Sequence, residues 1–486
     1  ELRPRVEALA AGLAAAGLLA GDRVVILLPR SVDEVVALLA VAAAGGIAVP
    51  LHGRLKDPQV AHVLADCEPF AVVTDAVRCL GLADPVTLFT GRRVLVSGGP
   101  LPGRIGEGWP RSGNGDAIAP PPAHAPAVLL YTSGSTGAPK GVVQDHHNLA
   151  LGADLVASYL ALTPADHVLA LLPFSFDYGL NQVLAALFAG CAVTAADHLG
   201  VGELGGLLRQ HRPTGLAGVP SLWHEVAAGL QSGALTSADG ASLRYLTNSG
   251  GALRRADSAV LRAHWPHAQV FAMYGLTEAF RSAFLPPSEF DAHPESFGRA
   301  LPGVELLLVD PATGRVVEGP GTGELVHAGA LVAHGYWRRP AETAARFRSD
   351  PRGTGGTVVY SGDLVRRDAE GRHWFVARLD RLLKVQGHRI SPDEVAAAVA
   401  GEPGVGEVAV LGEDAGADGH RIVLCVAGDP GDQALVPRLL RRCRSRLPSY
   451  MVPARLCVLP SLPHTRNGKV DEGELRHRIQ PCTDDR

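Results

Sequence analysis

Residues 131–142, Tyr-Thr-Ser-Gly-Ser-Thr-Gly-Ala-Pro-Lys-Gly-Val, set serine and threonine hydroxyls, three glycines and a lysine directly behind the apolar run Val128–Tyr131. Glycines let a backbone approach an anion closely, and hydroxyls, amides and an ammonium supply the donors, so this composition suits a phosphate clamp on a strand end. It is not the common P-loop, because Gly141 rather than Ser or Thr follows Lys140 and the usual Mg²⁺ hydroxyl is missing. The competing reading is a plain Gly/Ser-rich surface loop. Further along, Tyr274-Gly275-Leu276-Thr277-Glu278 offers an aromatic ring, a hydroxyl and a carboxylate after the strand-like Val270–Ala272. Tyr360-Ser361-Gly362-Asp363 reads as a turn carrying a carboxylate fit to accept from a ribose diol. Arg378-Leu379-Asp380, Lys384–Ile390 and Pro463–Asp471 complete the set.

The 45 basic residues include four lysines, Lys56, Lys140, Lys384 and Lys469. Arginine serves wherever a generic cation suffices, so a surviving lysine marks a need for a compact point charge on a flexible stem. Three of the four stand in the segments above.

The elements that must position these groups follow an α/β rhythm: Arg23–Leu28, Ala71–Thr74 and Val168–Leu172 read as strands and Ser31–Ala44 as a helix. Val35–Leu51 is the most hydrophobic stretch, but Gly45, Gly46 and Pro50 make it a buried helix running into a strand, not a membrane span. Gly91–Pro126, rich in Gly, Pro and Arg, reads as a long, mobile, exposed connection. From about Arg378 a compact α+β unit is expected: strand Leu382–Val385, helix Pro392–Val399, strands Gly406–Leu411 and Arg421–Ala427, and helix Gln433–Leu447. At 486 residues with net charge −4 the chain is large enough for two or more globular domains and lacks the basic excess of a nucleic-acid binder. Its seven scattered cysteines form no CxxC pair, which suits a reducing cytoplasm. No signal peptide is read, and the opening on Glu1 inside a helix-like stretch leaves room for residues ahead of it.

In this order and spacing, the motifs from Gly21-Asp22-Arg23-Val24 to Asn467-Gly468-Lys469 resemble the adenylate-forming superfamily: acyl-CoA synthetases, luciferases and the adenylation domains of nonribosomal peptide synthesis. The resemblance implies an α/β N-terminal core, residues 1–378, that binds ATP and the acid. A small mobile α+β lid, residues 379–486, would carry the catalytic lysine. It implies a carboxylate joined to ATP with Mg²⁺ to give acyl-AMP and pyrophosphate, then transfer to a thiol. Carried over by motif, Thr132, Ser133, Gly134, Ser135, Thr136, Gly137 and Lys140 would hold the departing phosphates. Gly250, Gly251, Tyr274, Asp363 and Arg378 would hold adenine and ribose. Thr277 would meet the α-phosphate, Glu278 the metal, and Lys469 the developing charge of the adenylation step. Asp380 would be the hinge, with Lys384 and Gly387 along the thiol channel. Ala377 stands where the family usually has glycine.

The acyl pocket decides the branch. Phe176-Asp177 resembles the peptide-synthetase pattern, whose carboxylate meets a substrate ammonium, while Tyr178-Gly179-Leu180 resembles the acyl-CoA synthetases. A carboxylate in an apolar pocket needs a cationic partner, which an amino or imino acid supplies. The alternative is that Asp177 bonds a backbone amide or pairs with Arg281. Tyr178, Asn181, Thr247, Ser249, Met273, Arg281 and Ser282 would line the same cavity beside Phe176. The short tail after Asp471 leads to the expectation of a free-standing enzyme that loads an amino acid, or another small carboxylic acid, onto the phosphopantetheine of a discrete carrier protein. The alternative is an acyl- or aryl-CoA synthetase using free CoA. Neither nucleic acid nor membrane is expected as a partner.

Overall fold

A computed structural model of the chain describes residues 2–53, 55–98, 106–109, 119–133, 139–197, 200–379, 383–390, 392–416, 419–463 and 470–479. Two compact units emerge: Glu1–Gly53 with Val60–Thr132 and Lys140–Asp380, and Arg54–Gln59 with Ser133–Pro139 and Arg381–Arg486.

The larger unit holds two sheets. One runs, by neighbour, Glu107–Gly108, Arg93–Ser97, Ala71–Asp75, Arg23–Leu27, Ile47–Pro50, Pro126–Ser133 and Pro139–Asp145. Its central strands, Arg23–Leu27, Ile47–Pro50 and Ala71–Asp75, are almost wholly buried, mainly apolar runs paired in parallel, as expected where helices cover both faces. Ser31 caps helix Val32–Ala43, which leads through Gly45 and Gly46 into strand Ile47–Pro50, matching the reading of the hydrophobic stretch. The connection expected over 91–126 needs correction: Arg93–Ser97 is an inserted strand, with Val94, Leu95 and Val96 buried beside Ala71–Asp75. Its three apolar residues were too few to stand out from the surrounding Gly, Pro and Arg.

The second sheet has a parallel half, Ala192–Ala195, His167–Ala170, Gly215–Gly218, Tyr245–Asn248 and Gln269–Tyr274, in that spatial order. It continues antiparallel through Ala283–Leu285, Ser296–Ala300, His373–Arg378, Thr357–Arg367, Gly321–Gly329 and Val304–Val309. The chemistry-bearing motifs leave the carboxyl ends of the parallel strands, where open α/β sheets bind ligands. Asp363 departs from expectation. It sits inside strand Thr357–Arg367, not on a turn, and its register partner is Arg378. Gly362, at φ +71°, supplies the local distortion that made the segment read as a turn.

In the smaller unit, strands Val408–Asp414, His420–Ala427 and Arg455–Leu459 form one sheet. Alternation is strict along His420–Ala427: Ile422, Leu424 and Val426 pack with Val395, Val399, Leu435 and Leu439 of helices Pro392–Val399 and Leu435–Arg446. Val423 and Cys425 face the other way, onto Leu475 of helix Glu472–Ile479. Cys425 lies in register with Cys457 across two parallel strands. The six described cysteines are free thiols. Among the described residues no helix is long and apolar enough to cross a membrane.

Candidate active site

The predicted phosphate clamp begins where strand Pro126–Ser133 ends and resumes with Pro139–Asp145. Thr132 is half-buried at the strand end. The side chain of Ser133 and residues Gly134, Ser135, Thr136 and Gly137 lie outside the described residues. Lys140 is buried, 8% exposed, with its ammonium 5.2 Å from the centre of the Tyr336 ring. Burial pushes its pKa down, and the Glu342 and Glu278 carboxylates work against that shift.

Glu278 is reached from the other side of the same tyrosine. The Tyr336 hydroxyl donates to Glu278 Oε1 at 2.7 Å, so one aromatic residue fixes a buried carboxylate and faces a buried ammonium. Thr277 and Glu278 start a short 3₁₀ turn, Thr277–Ala279, held by Gln144 Nε2 donating to the Thr277 carbonyl at 2.5 Å and by Ala333 N–H donating to the Glu278 carbonyl at 2.9 Å. Segment 335–337 is bound to strand Pro139–Asp145 through Val143 N–H to Gly335 O and Trp337 N–H to Gly141 O. Tyr336 was missed from the sequence; the glycine-aromatic triplet Gly335-Tyr336-Trp337 was the available signal.

Tyr274, at the end of strand Gln269–Tyr274, donates through its hydroxyl to the fully buried carboxylate of Asp363. Its ring lies parallel to Phe297 at 4.4 Å and to His327 at 5.8 Å. Tyr274 and Asp363 thus meet, with the backbone of Arg378 opposite Asp363. The Arg378 side chain is not among those described. Gly250 (φ +87°) and Gly251 form the turn after strand Tyr245–Asn248, where Asn248 Nδ2 donates to Gly251 O at 2.8 Å.

A cavity is lined by Tyr178, Asn181, Thr247, Met273 and Arg281 from the set expected at the acyl pocket, and by Gln182, Tyr245 and the apolar Val156, Leu160 and Ala185. Phe176 caps helix Asp177–Phe188, placing Asp177 in its first turn. Gly179 is obligatory there, since a Cβ would come within 2.1 Å of the Pro173 carbonyl. Tyr178 Oη and Thr247 Oγ1 share a 2.5 Å hydrogen bond, and burial pushes the phenol pKa up. Met273 Sδ accepts from the Tyr159 hydroxyl. Ser249 and Ser282 are buried close by in sequence, though neither lines this cavity. The Arg281 guanidinium lies 4.9 Å from the Tyr178 ring centre, and its Nη2 is 3.9 Å from Asp177 Oδ2, beyond hydrogen-bond reach.

Between the two sides stands Phe280, whose φ of 45° and ψ of −66° are rare for a side chain of that size. The backbone reverses there, so Glu278 meets Tyr336 while Arg281 enters the acyl cavity.

In the smaller unit, Lys384 and Gly387 belong to the hairpin Leu383–Val385 with His388–Ile390. Gln386 (φ +49°) and Gly387 (φ +80°) make its two-residue turn, a conformation that by itself calls for glycine. Asp380 and Lys469 lie outside the described residues.

A buried lysine at the start of strand Pro139–Asp145 and a buried carboxylate just after strand Gln269–Tyr274 meet around Tyr336 in an α/β fold of the kind enzymes use. The profile of the AMP-binding enzyme family matches residues 1–337, and that of the AMP-binding enzyme C-terminal domain matches residues 394–469. The chain belongs to the AMP-binding enzymes; it is an adenylate-forming ligase with a large N-terminal and a small C-terminal domain, and its family uses ATP. It is 32% identical to an L-proline--[L-prolyl-carrier protein] ligase of Streptomyces coelicolor, over 98% of this chain and 91% of that protein. It is 31% identical to an anthranilate--CoA ligase of Pseudomonas aeruginosa, over 94% and 87%. Among solved structures, the amide bond synthetase McbA of Marinactinospora thermotolerans superposes with a TM-score of 0.85 at 25% identity, over 98% of this chain and 94% of that one.

Proposed function

We propose that the chain joins an amino or imino acid to ATP, releasing pyrophosphate, and passes the aminoacyl group to the phosphopantetheine thiol of a separate carrier protein. The observation that carries the substrate class is Asp177, a carboxylate only 3% exposed in the first turn of the helix that walls the acyl cavity. An ammonium is the natural counter-charge for it. The likeness to a prolyl-carrier protein ligase supports both the substrate class and the carrier.

The residues fit ATP. Lys140 brings a cation to the polyphosphate side, with Thr132 and the hydroxyls of residues 133–136 just ahead of it in sequence. Glu278, held at one oxygen by Tyr336, suits Mg²⁺, while Thr277 faces the α-phosphate in this reading. Asp363 and Arg378, opposite one another, serve the ribose, with Tyr274 and the Gly250–Gly251 turn at the adenine. Lys469 stabilises the charge of the adenylation step. Asp380 is the hinge between a core of residues 1–378 and a lid of 379–486, with Lys384 and Gly387 along the thiol path. The free cysteines suit a reducing cytoplasm.

A second reading, a CoA ligase for an acid without an amino group, is favoured by Arg281, which already faces Asp177 at 3.9 Å. ATP–pyrophosphate exchange over amino, fatty and aryl acids separates the two. Exchange with amino or imino acids, weakened selectively by Asp177→Asn, is the expected result; exchange with fatty or aryl acids alone refutes the proposal.

A further inference from the structure

Arg281 is 2% exposed, yet its Nε and Nη2 have no hydrogen-bond partner among the described residues. The nearest carboxylate, Asp177, stands 3.9 Å away, and the other face of the cation is covered by the Tyr178 ring rather than by an acceptor. Asn181, also 2% exposed, presents an unpartnered Nδ2 from the same cavity wall. The Tyr178 and Thr247 hydroxyls bond to each other and make no hydrogen bond to these donors. Buried donors left without acceptors are costly and rare in a folded protein, and a hydrocarbon side chain would leave all three in that state. Of the remaining wall, Val156, Leu160 and Ala185 offer contact only, while Gln182 brings a buried Oε1 that itself has no partner among the described residues and does not reach these donors.

We infer that the acid activated by this chain carries, besides its reacting carboxylate, an oxygen acceptor on its side chain, held by Arg281 Nε and Nη2 and Asn181 Nδ2. A second carboxylate is the best match: once a substrate ammonium takes Asp177, that carboxylate neutralises the guanidinium and can accept from it in bidentate fashion. An amide carbonyl satisfies the same donors without the charge. Arg281 and Asn181 are therefore specificity-determining residues, rejecting side chains that leave them unpaired. The inference rests on the proposed acyl site but not on the amino group.

The test is pyrophosphate exchange with matched acids: glutamate and glutamine against norvaline, and glutarate against pentanoate. In at least one pair the acceptor-bearing acid is expected to exceed its hydrocarbon partner by about a hundredfold in kcat/KM. Arg281→Met should bring that ratio close to one, and a circular dichroism spectrum matching that of the native protein shows that the variant is folded. Glutamate or glutarate should raise the Tm of the native protein and not that of the variant. Equal or better use of the hydrocarbon acids, no exchange with any acceptor-bearing acid, or a preference unchanged in both Arg281→Met and Asn181→Leu overturns the inference. Discrimination seen with glutarate but with no amino acid would sink the amino-acid reading and leave this one standing; norvaline outperforming both glutamate and glutamine, with glutarate no better than pentanoate, would do the reverse.

Discussion

Tyr336 holds the buried Glu278 carboxylate and Lys140 ammonium together, its hydroxyl on the one and its ring facing the other. A hydrogen bond to a charged group contributes about 1.5–3 kcal/mol, so Tyr336→Phe, which keeps the ring and loses the bond, should weaken kcat/KM for Mg-ATP by at least about tenfold. The loss should appear with ATP varied, while KM for the acid stays unchanged; a uniform fall in both would mean general unfolding. At this scale the motifs were legible because their residue types are chemically distinctive: Lys140, Glu278, Tyr274 and Asp363 were all singled out, and the last two do meet. Tyr336 was hidden because a buried tyrosine in a glycine-aromatic run looks like core. The open donors of Arg281 were hidden because only three-dimensional neighbours reveal whether a guanidinium is satisfied.

Helix His146–Tyr159 follows the strand that bears Lys140, and it begins on the buried Asp145 in a reciprocal capping box with Asn148. Burial works to raise the Asp145 pKa, but the Asn148 N–H and the imidazoles of His334 and His124 outweigh it, and the carboxyl is held below its ordinary value. A depressed carboxyl pKa means stability that is full above the unfolded-state value, near about 4, and is lost as pH falls through the folded one. Asp145→Ala should therefore cost about 1–2 kcal/mol at pH 7, with the gap to the native protein closing only below about pH 4. Urea unfolding followed by circular dichroism from pH 7 downward checks both the size and the sign; a gap that shows no narrowing at any pH below about 4 would place the effect elsewhere. Most elements were legible because periodicity survives burial on one face, as in His420–Ala427. Strand Arg93–Ser97 was not, since its partner Ala71–Asp75 is distant in sequence and only the sheet explains its burial. Nor was the strand setting of Asp363, because Gly362 imitates a turn.

At the scale of the whole chain, the proposed division of labour puts substrate recognition in the large unit and the cation of the adenylation step, Lys469, in the small one. Lys469→Ala should abolish pyrophosphate exchange while largely sparing thioester formation from supplied aminoacyl-AMP, measured by mass shift of the loaded carrier. Equal loss of both half-reactions would remove the assigned role. The family was readable from the sequence because its motifs span the chain from residue 21 to residue 469. Which acid it takes was not, because that depends on charges within one cavity.

The reversal at Phe280 bears on how such an enzyme changes over evolution. Only two residues separate Glu278, turned toward Tyr336, from Arg281, turned into the acyl cavity, and the inverted backbone at Phe280 is what points them apart. Positions 281 and 282 can then drift, or be randomised in a library, without dragging the ATP machinery along. Phe280 itself, locked against Gly152 where a Cβ would come within 2.5 Å of its ring, is the position such a library must leave untouched. New diets for the enzyme begin one residue downstream of a fixed swivel.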